Sequence, residues 1–205
     1  MRTLAIDCAT EACSAALFEG SKLLDGRFEV LGRGHAERLV PMIAELPEKG
    51  RADRILVSLG PGSFTGVRIG LATARALGLA WSAVVLGYPT LTLVAARTWQ
   101  PDPRPVTVCM SGGHGQWFVQ NFSSGSTAEG DVRSLIPDEA LRFAKHRVVA
   151  GNRAADLAKL RGDDTLALDL LPDARAAYLL HETRLTPDLT PIYGRAPDAK
   201  KPGQQ

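Results

Sequence analysis

The chain has 205 residues, a net charge of +2, a sequence pI near 8.5 and 45% hydrophobic residues. That length suits one domain or two small lobes with a substantial core, and the near-balanced charge argues against a dedicated nucleic-acid binder. Three cysteines, Cys8, Cys13 and Cys109, form no Cys-x-x-Cys pair and read as free thiols of a reducing compartment.

Asp7 follows a very short apolar run, so no signal peptide is expected, and no stretch is long and clean enough to span a bilayer. A cytoplasmic protein is the expectation. Residues 3–6, 12–18 and 22–30 read as three antiparallel strands, with Glu19-Gly20-Ser21 as a hairpin turn. Residues 35–46 carry apolar side chains at helical spacing, with Pro41 predicting a kink or an early start. A strand at 54–57, a glycine-rich turn, a helix over 67–83, a strand at 84–87 and a helix from Thr90 to 99, capped by Thr90, follow. Three prolines within 101–105 mark a stiff boundary. Beyond it, strands at 106–110 and 116–122 flank a turn at 111–115. A short helix capped by Asp138 runs to 145, then come a strand at 148–150 and a helix over 152–160. A strand at 166–168, a helix over 173–183 behind Pro172 and an edge strand at 191–193 close the series. The prediction is two α/β lobes, 1–100 and 105–195, each opening with a hairpin, and a disordered tail over 196–205.

The turn Gly60, Pro61, Gly62, Ser63, Phe64, Thr65, Gly66 lies between strand and helix, an arrangement that points backbone N–H groups at an anion. It has no Lys for a Walker loop, and Thr65 stands where the dinucleotide fingerprint needs its third Gly. A structural corner is the favoured reading. In the helix after it, Gly66, Gly70, Ala74 and Gly78 recur every fourth residue and form one ridge. Interior Gly costs about 1 kcal/mol against Ala, so the ridge implies close approach of another backbone, from a partner or from the chain's own sheet. Arg68 and Arg75 share a face and are solvated or meet a partner's carboxylates. Asp7, Thr10 and Ser14 are candidates for a vestigial nucleotide cleft; the competing reading is that they satisfy local backbone. The four histidines lack metal-pair spacing, and Pro61 spoils a hydrolase elbow at Ser63. No catalytic residue and no metal site is predicted.

Three stretches together resemble the bacterial TsaB (YeaZ) family: residues 5–17 (Ala-Ile-Asp-Cys-Ala-Thr-Glu), 35–43 (His-Ala-Glu-Arg-Leu-Val-Pro) and 60–70 (Gly-Pro-Gly-Ser-Phe-Thr-Gly-Val-Arg-Ile-Gly). The closing Pro191-Ile192-Tyr193 matches the family's Pro-x-Tyr. The resemblance implies the two-lobed fold shared by actin, Hsp70 and sugar kinases (ASKHA), with a reduced second lobe. It implies a non-catalytic partner of TsaD in making N6-threonylcarbamoyladenosine in tRNAs that read codons beginning with A. TsaE would be met through the TsaB–TsaD complex, tRNA only indirectly, and the isolated chain would be a homodimer. No cofactor of its own is implied; ATP or ADP is admitted at the complex. It places the subunit contact on helices 35–46 and 67–83, hence on His35, Leu39, Met42, Ile43, Val67, Arg68, Gly70, Leu71, Ala74, Arg75 and Gly78. The alternative is a nucleotide-binding phosphotransferase of the same fold, which would need a second acid opposite Asp7. A glycoprotease role has no residues to support it. The second lobe departs from the family pattern at 111–118, where an acid, an Arg and a Glu are replaced by Ser111-Gly112-Gly113-His114-Gly115-Gln116.

Overall fold

A computed structural model describes residues 1–98, 104–123, 127–162 and 164–194. Most of the proline-rich boundary and the expected tail lie outside the described residues.

Strands β1 (Arg2–Asp7), β2 (Ala12–Glu19) and β3 (Lys22–Val30) form the antiparallel opening, and β1 then pairs in parallel with β4 (Arg54–Ser58), which pairs with β5 (Val84–Tyr88). Helix α1 (His35–Ala44) links β3 to β4, and α2 (Phe64–Trp81) links β4 to β5. After α3 (Thr90–Arg97) a second sheet starts with β6 (Val106–Gly113), β7 (Gln116–Phe122) and β8 (Arg133–Leu135). It continues through α4 (Pro137–Phe143), β9 (Val148–Ala150), α5 (Ala154–Arg161) and β10 (Leu166–Leu168). The orders β3-β2-β1-β4-β5 and β8-β7-β6-β9-β10 are the same arrangement built twice. This internal duplication is the ASKHA pattern, with the second copy reduced to three-residue strands at β8, β9 and β10.

Period-2 alternation in β1 decides the layers. Leu4 and Ile6 join one core with Leu39, Met42 and Ile43 of α1 and Val67, Leu71 and Ala74 of α2. Ala5 faces the other way, with Phe18, Leu56, Tyr88 and Leu93. Helix α3 lies between the sheets: Leu93 faces the first, while Leu91, Val94 and Ala95 pack on Val106, Val108 and Phe122 of the second. On the far side, Ala140 of α4 and Leu157 of α5 cover Cys109, Val119 and Val149.

Several expectations need correction. Helix α2 starts at Phe64, three residues early, because Ser63 Oγ accepts the Gly66 N–H and caps it there. Pro41 sits inside an unbroken α1 on its exposed side, where the carbonyl left without a donor can reach water. Thr90 is the first residue of α3 and not its cap; its hydroxyl is 2.5 Å from Ser58 Oγ. Asp138 lies in the first turn of α4, with Ile136 before the helix and no side-chain cap. The expected helix over 173–183 is two short 3-10 turns, Ala174–Leu179 and Glu182–Arg184. Ala174 and Ala177 of the first turn, and Leu180 just after it, pack on the first sheet, so chain from the second half completes the first lobe. Residues 191–193 form no strand, although the Ile192 N–H donates to the Leu59 carbonyl at 2.7 Å.

Candidate functional site

A cleft of about 650 Å³ separates the lobes. Its first wall is the β1–β2 turn (Ala9, Thr10, Glu11) with the glycine-rich corner (Pro61 to Phe64); its second is the β6–β7 hairpin (Ser111 to His114) with Asn152. The Asn152 Nδ2 donates to Glu11 Oε1 at 2.8 Å, and its Oδ1 accepts the Ser111 N–H at 2.9 Å. One side chain thus ties both walls. Positions 11 and 152 lie far apart in sequence, and no local pattern announces the contact.

Of the three cleft candidates, only Thr10 lines the space, and its hydroxyl accepts the Ala12 N–H. Asp7 is 1% exposed. Its carboxylate accepts from the Ala9 N–H at 2.9 Å and the Tyr88 hydroxyl at 3.0 Å. Burial raises its pKa to about 6, and those two hydrogen bonds oppose the rise. Burial beside Asp7 pushes the Tyr88 phenol up as well. Ser14 is fully buried and accepts the Ala174 N–H at 3.0 Å. Asp7 and Ser14 therefore serve the interior and not the cleft. Among the described residues the wall facing Thr10 carries Ser111, Gly112, Gly113, His114 and Asn152 and no carboxylate; Glu11 lines the cleft from Thr10's own side, where it accepts from Asn152.

The glycine-rich corner is a structural turn. A Cβ on Gly62 would overlap the Ala9 carbonyl, and the Ser63 N–H donates to the same oxygen at 2.7 Å. A Cβ on Gly66 would overlap the Cys8 carbonyl oxygen. The chain's own β1–β2 turn thus fills the space that an anion would need. Phe64, 65% exposed, carries Arg68 over its ring with Cζ 3.2 Å from the centroid, and Arg68 Nη2 donates to the Tyr193 hydroxyl at 2.7 Å. Arg75 Nη2 donates to the Leu189 carbonyl. Both arginines hold the chain's own closing segment, and in sequence only the Pro-x-Tyr ending hinted at it.

The ridge of Gly66, Gly70, Ala74 and Gly78 faces inward. Gly70 lies over Val57 and Ile6, Ala74 is fully buried, and Gly78 sits against Val85. His35, Leu39, Met42, Ile43, Val67 and Leu71 are also buried, and His35 Nε2 lies 3.2 Å from the Ala12 carbonyl. These side chains make the contact of α1 and α2 with their own sheet. The outward faces are different residues: Ala36, Val40 and Ala44 on α1, and Ala72, Ala76, Leu79 and Ala80 on α2. Val40 is 55% and Leu79 87% exposed. A signal in the sequence was that α2 carries Ala72, Ala76, Leu79 and Ala80 outside the glycine ridge, more apolar surface than a helix covered on one side needs, although Arg68 and Arg75 interrupt it.

Comparison with known proteins identifies the lineage. A family model described as "TsaD: tRNA N6-adenosine threonylcarbamoyltransferase" matches residues 29–170. A solved structure, "YeaZ from Pseudomonas aeruginosa", superposes with a TM-score of 0.78 at 26% identity, covering 94% of this chain and 99% of that one. The chain belongs to the TsaB (YeaZ) family. The "tRNA threonylcarbamoyladenosine biosynthesis protein TsaB" of Escherichia coli is 40% identical over 107 residues, 50% of this chain and 46% of that protein. The protein of the same name from Buchnera aphidicola (subsp. Schizaphis graminum) is 26% identical over 163 residues, 73% of this chain and 77% of that protein. The match thus spans about half the length of the Escherichia coli relative. Among the described residues, no group of three or more His, Cys, Asp or Glu could hold a metal ion, and no helix is long and apolar enough to cross a membrane.

Proposed function

We propose that this chain is a non-catalytic subunit that binds TsaD in the biosynthesis of N6-threonylcarbamoyladenosine in tRNA. The observation that carries this reading is the outward face of α1 and α2, where Val40 and Leu79 project among alanines while the opposite faces are locked into the core. Small residues around two large apolar ones let another helix pair approach closely, and apolar burial there would drive association. TsaD, sharing the fold, would dock its equivalent helices on this face, and in its absence a second copy of this chain would take the same place. TsaE would join through that complex, tRNA would be contacted by the assembly, and ATP or ADP would be bound there. The cleft supports the non-catalytic half of the proposal, because Asp7 is enclosed, the Glu11 carboxylate is engaged by Asn152, and among the described residues the opposing wall carries no acid.

The test is co-purification of the chain with TsaD of the same organism, paired with an assay of tRNA modification. Leu79→Asp and Val40→Asp are expected to abolish co-purification and modification while each variant remains a folded monomer by circular dichroism and sedimentation. Normal TsaD binding by both variants would overturn the assignment of this face. Modification by TsaD at full rate without the chain would overturn the function.

A further inference from the structure

Strands β1 and β2 are in register through Asp7 opposite Ser14, so Cys8 and Cys13 are the next pair, at the mouth of the turn that carries Thr10 and Glu11. Both are buried on the α1–α2 side, and their sulfurs lie 3.6 Å apart. The third thiol, Cys109, is buried in the second lobe, on the face that α4 and α5 cover. We propose that Cys8 and Cys13 form a reversible dithiol–disulfide pair, a modification site oxidised by hydrogen peroxide or a related small peroxide.

The surroundings assign the roles. Cys13 sits opposite Glu29 in the β2–β3 register, and Arg38 binds that carboxylate through Nε at 2.8 Å and Nη2 at 2.5 Å. The hydrogen bond between the two sulfurs lowers the pKa of Cys13 against burial and the Asp7 and Glu29 charges, with the Arg38 charge as the smallest aid; the same pairing, with burial, raises that of Cys8. Cys13 is therefore the attacking thiolate and Cys8 the resolving thiol. By contrast, burial pushes Cys109 up to about 12. In the first step the Cys13 thiolate attacks one peroxide oxygen. An S–O bond forms, the O–O bond breaks, and hydroxide leaves to become water on taking a proton. In the second step the Cys8 sulfur attacks Cys13 sulfenic acid. The S–S bond forms, the S–O bond breaks, and the departing hydroxide takes the Cys8 proton as a second water. The sulfurs must close from 3.6 Å to about 2.05 Å. Both sulfurs are buried, so a small oxidant reaches them when the β1–β2 turn, which borders the interlobe cleft at Thr10 and Glu11, opens locally. In a reducing compartment such a bond is transient and reports oxidant. Its closure tightens the turn whose Glu11 holds Asn152 of the other lobe.

The experiment is a peroxide titration of the reduced, folded full chain, with thiols counted after quenching and unfolding, and mass mapping of the tryptic peptide 3–22, which contains both cysteines. The expected result is loss of two of the three thiols, a peptide lighter by two hydrogens, Cys109 still free, and full recovery with a thiol reductant. Cys109→Ser should behave like the parent chain, and Cys8→Ser should leave Cys13 as a sulfenic acid that dimedone traps. Three surviving thiols in the folded chain overturn the proposal. So does oxidation no faster at Cys13 than at Cys109, or pairing that appears only after unfolding in urea.

Discussion

Two Gly→Ala substitutions on α2 should change stability in opposite directions. At Gly70 a Cβ would sit 3.6 Å from Val57 Cγ2, 3.8 Å from Cys8 Cβ and 3.9 Å from Ile6 Cγ2, all ordinary contacts. The variant keeps the packing and gains the helix propensity of Ala, about 0.5–1 kcal/mol. At Gly66 the Cβ would lie 3.2 Å from the Cys8 carbonyl carbon and closer still to its oxygen. That neighbour is backbone held in the first sheet, so the strand or the helix must shift, and overpacking of this kind costs about 1–3 kcal/mol. The propensity gain is common to both, so the two variants should differ by roughly 1–3 kcal/mol in urea unfolding, with Gly70→Ala above the parent and Gly66→Ala below it. In a chain of this size each kcal/mol moves the thermal midpoint by about 2–4 °C. If the ridge faced solvent or a partner, both substitutions would stabilise the free chain through propensity alone. A Gly66→Ala chain as stable as the parent would refute the inward orientation of the ridge.

Asp7 holds its proton to about pH 6 in the folded chain, against 3.8 for the ordinary group, so between those values the native state binds more protons than the unfolded state. Stability therefore falls as pH rises through that window, by about 3 kcal/mol at most. Asp7→Asn, whose amide can donate to the Tyr88 oxygen and accept from Ala9, should be more stable than the parent at pH 7.5 and lose that advantage at pH 4. Equal parent–variant differences in urea midpoint at both pH values would count against it. Asn152→Ala removes the hydrogen bond to Glu11 and should lower stability by about 0.5–1.5 kcal/mol in denaturant melts, with faster hydrogen exchange in the β1–β2 turn; unchanged exchange there would show that the contact does not hold the walls together. Leu79→Asp should leave the unfolding free energy within about 0.5 kcal/mol of the parent at concentrations where both are monomeric, and shift a self-associating sample toward monomer in sedimentation; unaltered association would remove Leu79 from the contact.

Much of the fold was legible because its signals are local. A short apolar run ending at Asp7 marked β1, Glu19-Gly20-Ser21 marked the first hairpin, and the Gly60–Gly66 stretch marked the strand-to-helix corner. The ridge on α2 was legible as spacing but not as direction, since spacing of small residues is the same whether a sheet or a partner lies against them; only Val57, Val85 and the Cys8 carbonyl settle it. The apparent helix at 173–183 was misread because its alanines satisfy helix propensity, while their burial under Phe18 and Leu56 follows from contacts more than a hundred residues away. Asp7 and Ser14 looked like cleft residues for a related reason. Asp7 does end β1 and Ser14 lies in β2 as read, but the side chains turn toward Tyr88 and Ala174, which sequence distance hides. The strand β8 was missed because Arg133-Ser134-Leu135 holds a single apolar residue, whereas the equally short β9 (Val148–Ala150) and β10 (Leu166–Leu168) are apolar throughout.

The burial of α3 has a consequence for how the chain folds. Leu91, Thr92, Leu93, Val94, Ala95 and Ala96 are all buried, so this helix has almost no face that water could tolerate. If either half unfolded by itself, α3 would present one apolar side to solvent, and the closing segment that covers Phe18 would be pulled from its seat at the same time. Partial unfolding is thereby penalised from both directions, and the two lobes should melt together in one cooperative transition although each has its own sheet.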